Sequence, residues 1–213
     1  MSKVVIADFG TGNLHSVINA IEKVANAADV ISTHNPQHIR NADRLVLPGQ
    51  GAIGTWMNEL QNDEIRMAVE FAVETKPVLG ICLGLQALYA DSEEDGGVKG
   101  LGFLAGHVRR FDDHLLDAGR RIKIPHMGWS KVHQISNHPL WDGIPQDTRF
   151  YFVHSYCAQA DIQAEVSGVT TYGMQFVCAA AKENLFAVQF HPEKSRQQGL
   201  RLLANFIDWN GAC

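Results

Sequence analysis

Four short apolar runs rich in β-branched residues, VVIADF, DVIST, RLVLP and PVLGIC, recur through the first ninety residues with helix-period segments between them. Strands that alternate with helices build a parallel sheet covered on both faces, because each parallel connection has to cross over a face of the sheet. Residues 14–24 put Leu14, Val17, Ile18, Ile21 and Val24 on one helical stripe, and residues 65–73 repeat this with Ile65, Ala68, Val69 and Ala72. After Asp91 the pattern changes. SEEDGGVKG is a polar, glycine-rich loop, and GFLAGHVRRF, FYFVHSY, MQFVCAAA and LFAVQF are expected to be antiparallel strands, the last two joined by a hairpin around residues 182–184. A final amphipathic helix over residues 198–209 carries Leu202, Leu203, Phe206 and Ile207 inward. The expected fold is α/β, a mixed and mostly parallel central sheet with flanking helices and an antiparallel extension. With no repeat or linker in view, residues 1–213 are expected to form a single domain.

The chain has 213 residues, 46% of them hydrophobic, enough for one well-buried core. A formal charge of -5 leaves no basic surplus for a phosphate backbone, so no nucleic acid partner is expected. The opening MSKVVIADFG meets an aspartate too early for a signal peptide, and no run approaches the ~18 apolar residues of a membrane helix. A cytoplasmic protein without membrane contact is expected. Cys82, Cys157, Cys178 and Cys213 form no C-x-x-C pair, and the histidines make no H-E-x-x-H cluster, so neither a disulfide framework nor a metal site is expected. DFGTGNL holds a G-x-G after a strand but lacks the third glycine of a dinucleotide fingerprint, and no cofactor is expected.

The segment KPVLGICLGLQALYA runs from a buried strand straight into a helix, with Cys82 at the junction and Gly80 and Gly84 two residues to either side. A nucleophile needs this shape: a tight, strained turn exposes it, and the glycines let strand and helix approach without side-chain collision. A thiol at a helix N-terminus also gains stabilisation of its thiolate, and the Leu83 N–H points to where an oxyanion would form. A cysteine nucleophile needs a base, and the base needs an orienting group. FAVQFHPEKS supplies both. His191 follows an apolar strand, and in extended chain Glu193 falls on its side of the backbone, with Pro192 stiffening the link. LVLPGQGAIG is a strand ending in a Pro-Gly-x-Gly turn, whose Gly49 and Gln50 are candidates for the second oxyanion donor. The elbow by itself suits any cysteine hydrolase, a stand-alone γ-glutamyl hydrolase or protease relative included.

PGQG, GICLGLQ and FHPE, in that order, resemble the class I, or triad, glutamine amidotransferases. IADFGTGNLHSV, PHMGWSKV, YFVHSY and QFHPEKS narrow the resemblance to the glutaminase subunits of imidazole glycerol-phosphate synthases, over essentially the whole chain. The resemblance implies a glutaminase with Cys82, His191 and Glu193 as its triad. It implies that glutamine is held near Gly51, Gln86, His154, Ser155 and Tyr156, and that Asn13, Trp129, Tyr151 and Lys194 face a (β/α)8-barrel cyclase subunit in a heterodimer. Two positions depart from the family pattern: Gln50 replaces an apolar residue in P-G-x-G, and Ser130 replaces the asparagine that commonly follows the tryptophan. The first leaves open whether that peptide faces the site at rest.

Overall fold

The computed structural model describes residues 2–10, 14–25, 28–117 and 119–212. The β-branched runs form β1 (Lys3–Ala7), β2 (Asp29–Thr33), β3 (Arg44–Gly49) and β4 (Val78–Cys82), as the sequence predicts. Between them lie α1 (His15–Val24), α2 (Pro36–Arg40), α3 (Ile53–Glu59) and α4 (Asp63–Thr75), and α5 (Leu83–Leu88) follows β4 with no intervening loop. Strand alternation decides which core each side chain joins. Val4 and Ile6 of β1 pack with Val17 and Ile21 of α1, whereas Val5 and Ala7 pack on the opposite face with Val69 and Ala72 of α4.

Sequence periodicity does not reveal α2 and α3, and each is fixed by other means. α2 is a five-residue helix opened by Pro36 and capped by Asn35, whose side chain accepts from the Gln37 N–H. α3 is capped from a distant loop: Glu94 Oε2 accepts the Ile53 N–H and Asp95 Oδ2 the Gly54 N–H, each at 3.0 Å.

The second half contains β5 (Asp91–Ser92), β6 (Val98–Lys99), β7 (Gly106–Arg110), β8 (Leu116–Asp117), β9 (Arg120–Arg121), β10 (His126–Gln134), β11 (Thr148–His154), β12 (Tyr156–Ala160), β13 (Val166–Tyr172), β14 (Met174–Lys182) and β15 (Leu185–Val188), closed by α6 (Arg196–Asp208). The main sheet runs β2-β1-β3-β4-β15-β14-β12-β7-β5-β6. Pairing is parallel from β2 to β15 and turns antiparallel at β14. The β14–β15 hairpin forms around residues 182–184 as expected, with Glu183 at φ 51°. Its second strand is more than an antiparallel partner, since β15 also extends the parallel half by pairing with β4.

Three expectations need correction. GFLAGHVRRF becomes strand only from Gly106 onward, since residues 103–105 bend. FYFVHSY is two strands broken at Ser155: β11 pairs with β10, and β12 pairs with β7 and β14. The segment after His191 is not extended. Pro192 opens a 3₁₀ turn over Pro192–Lys194, because its fixed φ suits a first helical position.

Among the described residues no helix is long and apolar enough to cross a membrane. The tightest joint is the close approach of α5 to β3, where a Cβ on Gly84 would lie 1.8 Å from the Leu47 carbonyl oxygen. Gly84→Ala is therefore expected to destabilise the fold by about 3 kcal/mol, the upper range for an overpacked core, as measured by urea unfolding.

Candidate active site

Cys82 ends β4, opposite Gly49 in the parallel register, and starts α5. Passing from strand to helix without a loop forces its backbone to φ 55°, ψ -104°, outside the regions a residue with a side chain adopts comfortably. The turn lies at the carboxyl ends of the parallel strands, where open α/β sheets bind ligands. The Leu83 N–H is the first amide of α5 and has no intrahelical acceptor.

His191 follows β15, the strand beside β4, so adjacent strands deliver the thiol and the imidazole to one end of the sheet. Its Nδ1 lies 2.7 Å from Glu193 Oε1, with both side chains almost wholly buried. The 3₁₀ turn achieves what extended chain was expected to do, bringing the carboxylate back beneath the ring. Nε2 on the other edge makes no protein hydrogen bond of ordinary geometry. Burial pulls the imidazole pKa down, but the neighbouring Cys82 sulfur and the Glu193 carboxylate outweigh it and push the value up to about 10. The ring is an imidazolium at neutral pH, held between the Cys82 sulfur and the Glu193 carboxylate.

A cavity of about 320 Å³ opens over this pair. Its wall includes Gln50, Gly51, Cys82, Leu83, Gln86, His154, Ser155, Tyr156 and His191, all expected at the site, whereas Gly49 lies beneath, against Leu83 and Trp56. Glu94, Pro125 and Val153 complete the wall and were not anticipated. Glu94 is the instructive omission. It sits in a polar loop, and only the fold shows that this loop caps α3 and brings a carboxylate to the cavity; burial raises its pKa.

Behind the wall the hydrogen bonds have a fixed direction. The Tyr156 carbonyl can only accept, so His154 Nδ1, 2.8 Å away, must carry a proton. His154 Nε2 then accepts from His126 Nδ1 at 3.0 Å, and His126 Nε2 accepts from the Ser130 hydroxyl at 2.9 Å. Burial lowers both imidazoles, His126 to about 4 and His154 to about 3, which keeps them neutral and preserves the relay. Ser130, one of the two departures from the family pattern, is the residue that closes it. Among the described residues no group of three or more His, Cys, Asp or Glu side chains is placed to hold a metal ion.

Residues 5–209 match the family Glutamine amidotransferase class-I. The chain belongs to that family. Over 211 residues the amidotransferase is 52% identical to "Imidazole glycerol phosphate synthase subunit HisH" of Nitrosococcus oceani, with 99% of each chain covered. It is 51% identical to the subunit of the same name from Aromatoleum aromaticum, with 98% of this chain and 99% of that one covered. Its fold matches that of solved structures at much lower identity. "Structure of PurLQS from Thermotoga maritima" superposes with a TM-score of 0.74 at 14% identity, covering 97% of this chain and 98% of that one. A structure described as a glutamine amidotransferase gives 0.71 at 16%, covering 96% and 97%.

Of the residues expected at a partner face, Trp129 and Tyr151 of the amidotransferase stand opposite each other on β10 and β11, ring centroids 6.0 Å apart. The Arg196 guanidinium lies 5.3 Å over the Trp129 ring, and Met127, 62% exposed, continues the strip toward Val153 at the cavity. Lys194 is half-buried in the turn that carries Glu193. Asn13 lies outside the described residues.

The raised His191 pKa carries a stability signature. The imidazolium is favoured in the folded state, so its contribution is complete below about pH 6.5, the ordinary histidine value, and is lost as pH rises toward 10. Unfolding free energy should fall across that window, and the fall should flatten in Cys82→Ala and in Glu193→Gln, each of which removes one influence that raises the imidazole. Denaturant titrations at a series of pH values would measure this.

Proposed function

We propose that this chain is the glutaminase subunit of an imidazole glycerol phosphate synthase in histidine biosynthesis, and that Cys82, His191 and Glu193 release ammonia from glutamine in the cavity above β4. One observation carries this reading. In a chain about half identical over its whole length to such subunits, a cysteine on a strained elbow faces a cavity beside an imidazolium–carboxylate pair.

The Cys82 thiolate attacks the side-chain amide carbon of glutamine. The tetrahedral oxyanion is held by the Leu83 N–H and by the turn at residues 49–51, each such donor contributing roughly 2.7–4 kcal/mol. His191 gives its Nε2 proton to the departing nitrogen, ammonia leaves, and a γ-glutamyl thioester remains. The neutral imidazole then takes a proton from water, the hydroxide attacks the thioester, and collapse expels the thiolate and glutamate. Glu193 holds the ring throughout and stabilises its charged form. Gly51, Gln86, His154, Ser155 and Tyr156 bind the amino-acid portion, and the Glu94 carboxylate in the wall suits its ammonium group.

Ammonia passes to a (β/α)8-barrel cyclase subunit. There it reacts with a phosphoribulosyl-formimino aminoimidazole carboxamide ribonucleotide to give imidazole glycerol phosphate and an aminoimidazole carboxamide ribonucleotide. The strip of Met127, Trp129 and Tyr151, with Lys194, faces that subunit. An exposed tryptophan beside an arginine is the composition of an interface anchor.

The deciding experiment mixes the chain with the cyclase subunit, glutamine and the ribonucleotide and measures glutamate release against the chain alone. Where docking completes the oxyanion site by one donor, release rises about a hundredfold or more. Cys82→Ala abolishes it, and Trp129→Ala weakens the complex about tenfold or more in a titration of binding. Full turnover by the isolated chain, with no response to the cyclase, would assign it instead to the stand-alone cysteine hydrolases.

A further inference from the structure

Gln189 belongs neither to the expected triad nor to the cavity wall, yet its side chain reaches the sulfur. It is wholly buried just beyond the end of β15, where its backbone N–H is fixed on the Cys178 carbonyl at 2.9 Å. A buried carboxamide with no function would be a cost, because each of its polar atoms must find a partner away from water. Both ends of this one are used. Gln86 Nε2 donates to the Tyr156 carbonyl and to Gln189 Oε1, each at 3.1 Å. Since a carbonyl only accepts, Gln86 must present its nitrogen to Tyr156, and Gln189 must therefore present its oxygen to Gln86. That orientation leaves the Gln189 NH₂ toward Cys82, where Nε2 lies 3.6 Å from Sγ. The other groups at the sulfur are the His191 imidazolium and the Val153 carbonyl, 4.0 Å away.

We infer that Gln189 is a positioning residue for the glutaminase reaction, donating an N–H to Cys82 Sγ while its oxygen anchors Gln86 in the cavity wall. The inference rests on the reading of Cys82 as the nucleophile. The N–H favours the thiolate over the thiol, and because both hydrogens of Gln86 are committed, the direction of the donor is set by the Tyr156 backbone rather than by chance rotation of the amide. A hydrogen bond to a charged acceptor in a buried site is worth roughly a ten- to hundredfold effect on the population it stabilises.

Two near-isosteric variants separate the two ends of the side chain. Gln189→Glu keeps an acceptor for Gln86 and removes the amide donor; Gln189→Met removes both. The readout is iodoacetamide capture of Cys82, followed at peptide level across a pH series in the complex with the cyclase subunit, with steady-state glutaminase kinetics alongside. Cys157 and Cys178 make poor competitors for the reagent, since burial pushes the first thiol up to about 12 and the second well above the ordinary range. In Gln189→Glu, capture at neutral pH should slow roughly tenfold or more, its profile should move to higher pH, and kcat should fall while KM for glutamine stays within about twofold. Gln189→Met should show the same slowing together with a raised KM, because Gln86 loses its anchor. Should Gln189→Met fail to fold, Gln189→Glu alone decides. Wild-type capture rate and pH profile in the folded variants would overturn the inference, whatever happens to their melting temperature. Failure of the wild-type Cys82 to react, or of glutamine to protect it, would instead overturn the assignment of Cys82 as nucleophile.

Discussion

The strained peptide at Cys82 is the constraint from which the rest of the site follows. A strand that becomes a helix in a single residue must turn through φ 55°, ψ -104°, a conformation that costs on the order of 1–3 kcal/mol and persists only where its surroundings leave no alternative. Here β4 is clamped between two parallel neighbours, β3 on one side and β15 on the other, through Ile81, which pairs with Pro48 and Val188. On the helix side, Gly84 lets α5 settle against the Leu47 carbonyl at a separation no side chain would allow. The same geometry that strains the cysteine lifts its sulfur clear of the sheet and points the first amide of α5 past it. On the proposed mechanism, nucleophile and oxyanion donor come from one turn and are aligned by construction.

The other functional groups arrive by way of the antiparallel half. β15 belongs to both halves, parallel to β4 and antiparallel to β14, so the His191 turn is placed by the parallel pairing while the part of the cavity wall at residues 153–156 is placed by the antiparallel strands. The break at Ser155 matters for the same reason. A continuous strand would keep Tyr156 in line with β11, whereas the break sends β12 to pair with β7 and β14 and leaves the Tyr156 carbonyl free to accept from His154 and Gln86.

What the sequence disclosed and what it withheld divide along the range of the interactions. The four parallel strands, the α1 and α4 stripes, the β14–β15 hairpin and the elbow were legible because their causes lie within a few residues: β-branched runs, helical period, paired glycines. His191 and Glu193 were legible as a pair for the same reason, although the backbone between them is a 3₁₀ turn and not the extended segment expected. α3 was hidden because its cap comes from Glu94 and Asp95, about forty residues away. Gln189 was hidden inside FAVQFHPEKS because its partners Gln86 and Cys82 are 103 and 107 residues distant and no local pattern marks them. Glu94, Pro125 and Val153 enter the wall from three separate loops and strands, which spacing along the chain does not encode.

The turn that carries the triad is also tied to the strand that carries the exposed aromatic strip. The His191 N–H donates to the Tyr151 carbonyl at 2.9 Å, the Tyr151 N–H donates to Ser195 Oγ at 3.0 Å, and that hydroxyl donates on to the His191 carbonyl at 2.6 Å. Three bonds thus close a ring between the residue opposite Trp129 and the backbone on both sides of the imidazole. Val153, two residues along β11, lines the cavity and stands close to the sulfur through its carbonyl. A subunit seated on Met127, Trp129 and Tyr151 would therefore bear on a strand that holds His191 by its main chain and Cys82 by proximity. Contacts of this kind give a partner a route to the triad, but a route shifts activity only when the partner binds one arrangement of β11 more tightly than another. Because the ring is fully hydrogen-bonded in the unpartnered chain, a displacement of β11 that broke it would cost buried polar pairing. The economical movement keeps the β11–His191 unit rigid and lets residues 50–51, which lie beyond the β3–β4 pairing, supply whatever change docking brings.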